Sequence, residues 1–392
     1  MSHLMETYSR QPITFTHGEG VWLWDKEGNK YLDALAGVAV NGLGHAHPKL
    51  VKAISQQVAK MIHVSNIYGI VEQEKLADKL AEISGMDKVF FCNSGCEANE
   101  AAIKLARLYG HNKGIETPEI IVMERAFHGR TMATLSATGN RKAQAGFEPL
   151  VSGFIRVPYD DLEAVKQIAS RKNNVVAILV EPVQGEGGVH IPADMAAYLQ
   201  GLRKVCDDNG WLMMLDEVQS GIGRTGTWFA FQHTGMTPDV MTLAKGLGSG
   251  VPIGACVAKG AAADIFTPGK HGSTFGGNPL ATMAGLATLD AIQDEKLREN
   301  AQKMGDLICD GLRSALKGVA GVMVIRNAGL MIGIELDRPC AELVKMALET
   351  KLLINVTAEK VVRLLPPLVI NEAEANELTT RLAALIKVFL NK

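Results

Sequence analysis

Six short apolar runs, at residues 88–92, 119–123, 175–181, 212–216, 240–244 and 254–258, alternate with helical segments between about residues 48 and 280. The runs are mostly continuous rather than alternating, so each must bury both faces, as strands of a parallel sheet do. Strand and helix in turn predict an α/β fold, a doubly wound and mostly parallel sheet covered by helices on both sides. Such open sheets bind ligands beyond the carboxyl ends of their strands. Two polar residues sit at such ends: Asp216 closes Leu212-Met213-Met214-Leu215-Asp216, and Lys245 follows Val240-Met241-Thr242-Leu243-Ala244.

The pattern changes after Pro279. Long helices are expected at 280–292 and 297–316, strands at 322–325, 329–336 and 361–365, and an amphipathic helix at 372–390. Near the amino terminus, strands at 21–25 and 31–34 flank the Gly28-Asn29 turn and are expected to pack with the carboxyl-terminal part. The chain therefore divides into a large α/β domain over 48–280 and a smaller α+β domain from 1–47 and 281–392.

With 392 residues and 47% apolar content the chain can bury a large core. A net charge of -2, with acids and bases mixed along the sequence, offers no surface for nucleic acid or membrane, so small molecules are the expected partners. No run approaches the ~18 apolar residues of a membrane span, and residues 1–10 lack a secretory core, so a cytoplasmic protein is expected. The six cysteines are scattered without a C-x-x-C pair and read as reduced thiols. A strand-to-helix turn separates Cys92 from Cys96, and Pro48 opens a helix after His45 and His47, so neither pair is read as a metal site.

Asn93-Ser94-Gly95-Cys96 lies between the run ending at Cys92 and a helical pattern from Ala101. Its free backbone N–H groups at a helix start suit a phosphate, with Ser94 and Gly95 nearest. Phe127-His128-Gly129-Arg130 follows another strand: Phe127 offers a flat face for a planar cofactor, and Arg130 a fork for a carboxylate. Glu181 closes 175–181 and points toward the same crevice. Arg363, a lone cation in an apolar strand, needs a carboxylate, and Glu181 is the expected switchable partner. Gly221-Ile222-Gly223-Arg224-Thr225-Gly226 matches G-x-G-x-x-G, yet the aromatic stretch after it lacks helical period, so it reads as a loop rather than a dinucleotide site. A buried Lys and Asp beside a phosphate turn suit pyridoxal phosphate, which needs a Lys to hold its aldehyde as a Schiff base and an acid to keep its pyridine nitrogen protonated.

These motifs, with Glu181-Pro182-Val183-Gln184-Gly185-Glu186-Gly187 and Asp216-Glu217-Val218-Gln219, make the chain resemble the class III aminotransferases over nearly its whole length from Tyr8. These are pyridoxal-phosphate enzymes of fold type I. Residues 39–48 and 127–131 look most like the branch that acts on N-acetylornithine, with 2-oxoglutarate and glutamate as the other substrate pair, in arginine biosynthesis. Relatives acting on succinylornithine, succinyl-diaminopimelate, ornithine or 4-aminobutyrate are the alternatives.

The resemblance implies that Lys245 carries the cofactor and that Asp216 faces its ring nitrogen. It puts Gln219 near the ring hydroxyl, Phe127 and Val218 on the two ring faces, and Ser94, Gly95 and Cys96 at the phosphate. Ser273 and Thr274 would reach the phosphate of a neighbouring subunit, so a homodimer with shared sites is implied. Arg130, Glu181, Arg363, Val38 and Tyr8 would contact substrate. Cys96 stands where the family often has Thr, and Val38 where ornithine aminotransferases carry Tyr, which favours an acylated substrate.

Overall fold

A computed structural model of the protein describes residues 3–391. The amino-terminal part forms β1 (Phe15–Glu19), β2 (Trp22–Asp25) and β3 (Lys30–Asp33), an antiparallel meander. Asp25 closes the β2–β3 turn: its Oδ1 accepts the backbone N–H groups of Glu27 and Asn29 at 3.0 and 2.8 Å. Gly28 at the crest has φ 81°, the left-handed region that a residue without Cβ enters freely.

The central sheet contains β4 (Lys88–Cys92), β5 (Glu119–Met123), β6 (Phe154–Val157), β7 (Val175–Val180), β8 (Leu212–Asp216), β9 (Val240–Leu243) and β10 (Gly254–Ala258), in the order β4-β10-β9-β8-β7-β5-β6. Only β10 runs antiparallel to its neighbours; the other strands are parallel. The doubly wound, mostly parallel sheet expected from the apolar runs is therefore present. Every residue of β7 is buried, and at ~1.5–3 kcal/mol for each large apolar side chain such strands fix the centre of the molecule. β6 was not foreseen, because Phe154-Ile155-Arg156-Val157 is short and carries an exposed cation at the sheet edge.

A second antiparallel sheet joins β11 (Val322–Ala328), β12 (Met331–Leu336), β14 (Asn355–Thr357) and β15 (Val361–Leu364) in the order β11-β12-β15-β14, with helices Leu297–Ala315 and Glu372–Leu390 nearby. The two-residue strand β13 (Leu352–Leu353) instead pairs parallel with β3, and Trp22 Nε1 donates to Glu374 Oε1 at 3.1 Å. The amino-terminal meander thus packs with the carboxyl-terminal elements.

The glycine loop 221–226 opens no helix. Buried Glu217 holds it by accepting Ser220 Oγ at 2.6 Å and the N–H groups of Ala230 and Phe231, both at 2.9 Å, and burial pushes this carboxyl up to about 7. His45 Nε2 lies 2.8 Å from Asp33, and His47 precedes helix Pro48–Val58. Among the described residues no helix is long and apolar enough to cross a membrane.

Candidate active site

The turns after β4, β5, β7, β8 and β9 converge on one cavity of about 340 Å³, and the segment leading into β10 closes it. Their convergence follows from topology: parallel strands deliver every carboxyl end to the same edge of the sheet.

Ser94 caps helix Gly95–Asn112, its Oγ accepting Glu97 N at 3.2 Å, while Glu97 Oε2 accepts Asn93 N at 2.6 Å. The N–H groups of Gly95 and Cys96 have no acceptor within the helix and remain for an anion. The cradle is tight: a Cβ on Gly95 would lie 2.8 Å from Val218 Cγ1, and one on Gly129 would lie 2.6 Å from Cys96 Sγ. Cys96 Sγ itself accepts Arg130 N at 3.2 Å, which ties the phosphate turn to the segment carrying Phe127. Phe127 and Val218 both line the cavity.

Asp216 is buried at the end of β8. Its Oδ2 accepts Asn99 Nδ2 at 2.7 Å and lies 2.8 Å from His128 Nδ1, while Oδ1 accepts Val218 N at 3.0 Å. Contacts from three different elements orient the carboxylate, with His128 Nε2 buried and unpartnered. Lys245 lines the same cavity from a left-handed backbone, φ 41°, a strained conformation of the kind concentrated at functional sites. Burial, reinforced by the Arg363 charge, pushes its amine down from 10.5 to about 8.

One expectation needs correction. Glu181 does not pair with Arg363. Its Oε1 accepts Phe127 N at 2.9 Å and its Oε2 accepts Gly185 N at 3.1 Å, so both oxygens brace backbone, and burial pushes the carboxyl up to about 7. Arg363 instead meets Glu186, Nη1 to Oε1 at 2.7 Å, with Gln219 Oε1 at 3.4 Å from the same nitrogen and Asn355 Oδ1 on its other edge. The turn after β7 uses its first acid for support and turns its second toward the cation.

Arg130 is exposed beside Phe127, its guanidinium carbon 5.8 Å from the ring centroid. It lines an adjoining cavity of about 800 Å³ that shares Phe127 and Glu186 with the first. Within the one chain, Val38, Tyr8, Ser273 and Thr274 do not line the inner cavity. Val38 packs against the small apolar cluster of Ala39, Val183, Val189, Met331 and Leu365, and Tyr8 is exposed. Ser273 Oγ accepts Asn93 Nδ2 at 3.3 Å, behind the phosphate turn. The sequence assigns no part to Asn99, His128, Glu186 or Asn355, although His128 and Glu186 lie inside the quoted motifs.

The donors fit pyridoxal phosphate. Free helix-start N–H groups, a cradle with no room for a Cβ, a buried, hydrogen-bonded Asp at one end and a depressed buried amine nearby match its phosphate, ring nitrogen and aldehyde.

Comparison with known proteins points the same way. The family described as class-III aminotransferase matches residues 5–386. An acetylornithine aminotransferase from Nitrosomonas europaea is 64% identical over 390 residues, covering 100% of this chain and 99% of that protein. An ornithine aminotransferase from Toxoplasma gondii, whose crystal structure has partial occupancy of PLP at the active site, superimposes with a TM-score of 0.95 at 33% identity, over 100% of this chain and 93% of that one. An acetylornithine aminotransferase from Elizabethkingia anophelis superimposes with a TM-score of 0.87 at 35% identity, over 98% and 96%.

Proposed function

The chain belongs to the class-III aminotransferases, and from that premise we propose that it moves the terminal amino group of N-acetylornithine to 2-oxoglutarate, giving glutamate and N-acetylglutamate semialdehyde. The observation that carries the reading is the cavity lined by Asp216, Lys245 and the Ser94 turn, in which the lining residue Glu186 forms an ion pair with Arg363. The high identity to the Nitrosomonas enzyme supports the acetylated donor.

When bound, pyridoxal phosphate supplies a carbonyl that takes up the amino group and a ring that accepts the charge left at the substrate carbon. Asp216 keeps a proton at the ring nitrogen, held for that task by Asn99, His128 and Val218 N. The free Lys245 amine would hold the proton removed from the substrate carbon at Nζ, and an amine brought down to about 8 accepts and gives up that proton more evenly than an ordinary lysine. Phe127 and Val218, which line the cavity, would pack against the ring and exclude water.

Two substrates must share this site. Glutamate brings a carboxylate next to the reacting carbon, and Arg363 binds it after Glu186 withdraws. The ω-amine donor brings none there, and Glu186 keeps Arg363 neutralised. Arg130, at the mouth of the outer cavity, holds the distal carboxylate of both substrates.

The assembly is a homodimer in this reading. Ile62, Ile67, Tyr68, Val71 and Phe275 are exposed apolar residues. Asn66 Nδ2 donates to Ser273 O at 3.0 Å, so the patch adjoins the Ser273-Thr274 loop. A second copy covering it would bring Ser273 and Thr274 to its neighbour's phosphate turn, and Tyr8 to its neighbour's substrate. Six free cysteines, five of them buried, fit a cytoplasmic setting.

The outer cavity also has room for a longer acyl group. Initial rates with N-acetylornithine, succinylornithine, succinyl-diaminopimelate, ornithine and 4-aminobutyrate decide the donor. The highest kcat/KM is expected for N-acetylornithine; a preference for free ornithine or 4-aminobutyrate would overturn the assignment.

A further inference from the structure

β14 contributes to the site in a way the sequence did not disclose. Antiparallel pairing sets Asn355 directly opposite Arg363 on β15, so their side chains leave the sheet on one face as a cross-strand pair. On Arg363's other flank stands Gly333, which offers no side chain. The guanidinium leans toward β14: Asn355 Oδ1 accepts Nε at 3.1 Å and Nη2 at 2.8 Å, one oxygen spanning a whole edge of the fork. Nη1 carries Glu186 at 2.7 Å. The donors left to receive an incoming carboxylate are those of Nη1, once Glu186 leaves and only the 3.4 Å contact to Gln219 Oε1 remains there, and the second N–H of Nη2. Together they form the outer, two-point end of the fork. The same strand holds the counterion's backbone, because Thr357 Oγ1 donates to Glu186 O.

We infer that Asn355 is a positioning residue that decides how Arg363 takes substrate: its neutral oxygen occupies one edge of the guanidinium, aims the other at the cavity, and leaves the cation uncompensated except by Glu186. The inference rests on the exchange of Glu186 for a substrate carboxylate described above. Neutrality is the point. A carboxylate at this position would make charge-assisted bonds roughly twice as strong as the amide's and remain as a permanent counterion. Arg363 would then have no charge left for glutamate. An apolar side chain fails differently, because the buried edge loses its acceptor and the guanidinium turns toward Glu186.

The test uses holoenzyme carrying Asn355→Asp and, separately, Asn355→Leu, each checked for an unchanged visible spectrum and melting temperature. Calorimetry measures the affinity for glutarate, an unreactive dicarboxylate of glutamate's length. Single-turnover absorbance measures the glutamate and N-acetylornithine half-reactions separately. In N355D the glutarate Kd and the glutamate concentration for half-maximal rate are expected to rise by about tenfold or more, with the saturated rate and the N-acetylornithine half changed by less than about twofold. N355L is expected to weaken glutarate in the same direction, and it carries the test if the charged variant does not fold. Glutarate binding as in wild type, or equal loss in both halves, would overturn the inference and assign Asn355 a purely structural part. If the wild type reacts with neither glutamate nor N-acetylornithine, the proposed function fails and the inference falls with it, a result distinct from a wild type that reacts and variants that do not differ.

Discussion

Replacing Glu186 with Gln removes the counterion of Arg363 while keeping the shape of the turn. The ion pair is short, 2.7 Å, but unevenly buried: 2% of the Arg363 side chain is exposed and 38% of the Glu186 side chain. A charge-assisted hydrogen bond is worth ~1.5–3 kcal/mol, and water at the Glu186 end screens it toward the lower value. About 1.5 kcal/mol corresponds to roughly a factor of ten. In E186Q the glutamate carboxylate no longer competes with Glu186, so the glutamate half-reaction should saturate at up to ~10-fold lower concentration. The N-acetylornithine half faces a bare buried cation beside a cationic amine and should slow by ~10-fold. The ratio of the two half-reactions thus shifts by as much as ~100-fold, read by stopped-flow absorbance with each substrate alone. Equal change in both halves would refute the exchange of Glu186 for substrate.

Asp216→Ala leaves the ring nitrogen without its partner and should lower kcat by ~10²–10³-fold, the usual cost of losing one preorganised electrostatic contact; a steady-state rate near wild type would contradict its role. Gly95→Ala places a methyl 2.8 Å from Val218 Cγ1 and should weaken cofactor binding by about tenfold in a titration of cofactor-free protein, with unaltered affinity counting against the cradle. In that cofactor-free protein Lys245 binds its proton less tightly folded, at about 8, than unfolded, at 10.5. The unfolded chain therefore holds more protons in that window, and stability gains an increment as pH rises from about 8 to 10.5. Urea denaturation of Lys245→Met should lack that increment; identical pH dependence in both proteins would show that the amine is not depressed.

The sheet was legible because burial on both faces leaves a local mark: Val175–Val180 is apolar without interruption, and so is 212–215 before Asp216. β1 was not, since Phe15-Thr16-His17-Gly18-Glu19 has no period and a single apolar residue, and gains its partners from β2. At the site, Asp216, Lys245 and Ser94 were legible as polar residues at strand ends, a position with one geometric meaning. The partner of Arg363 was not. Glu181 and Glu186 flank a four-residue turn, and only its folded path shows that the first braces the N–H groups of Phe127 and Gly185 while the second faces the cation. Asn99 and His128 reach Asp216 across 117 and 88 residues of sequence, separations at which no local pattern operates. Asn355 is one polar residue on a short strand, and its place opposite Arg363 is a matter of strand register.

The most direct test of the whole account is the visible absorbance of the purified protein, recorded before and after N-acetylornithine and again after 2-oxoglutarate, with Lys245→Ala alongside. The wild type should show the band of lysine-bound cofactor, lose it with the amine and regain it with the oxoacid, and Lys245→Ala should show no such cycle. A wild-type spectrum indifferent to N-acetylornithine, or a Lys245→Ala protein that cycles at the wild-type rate, would contradict it.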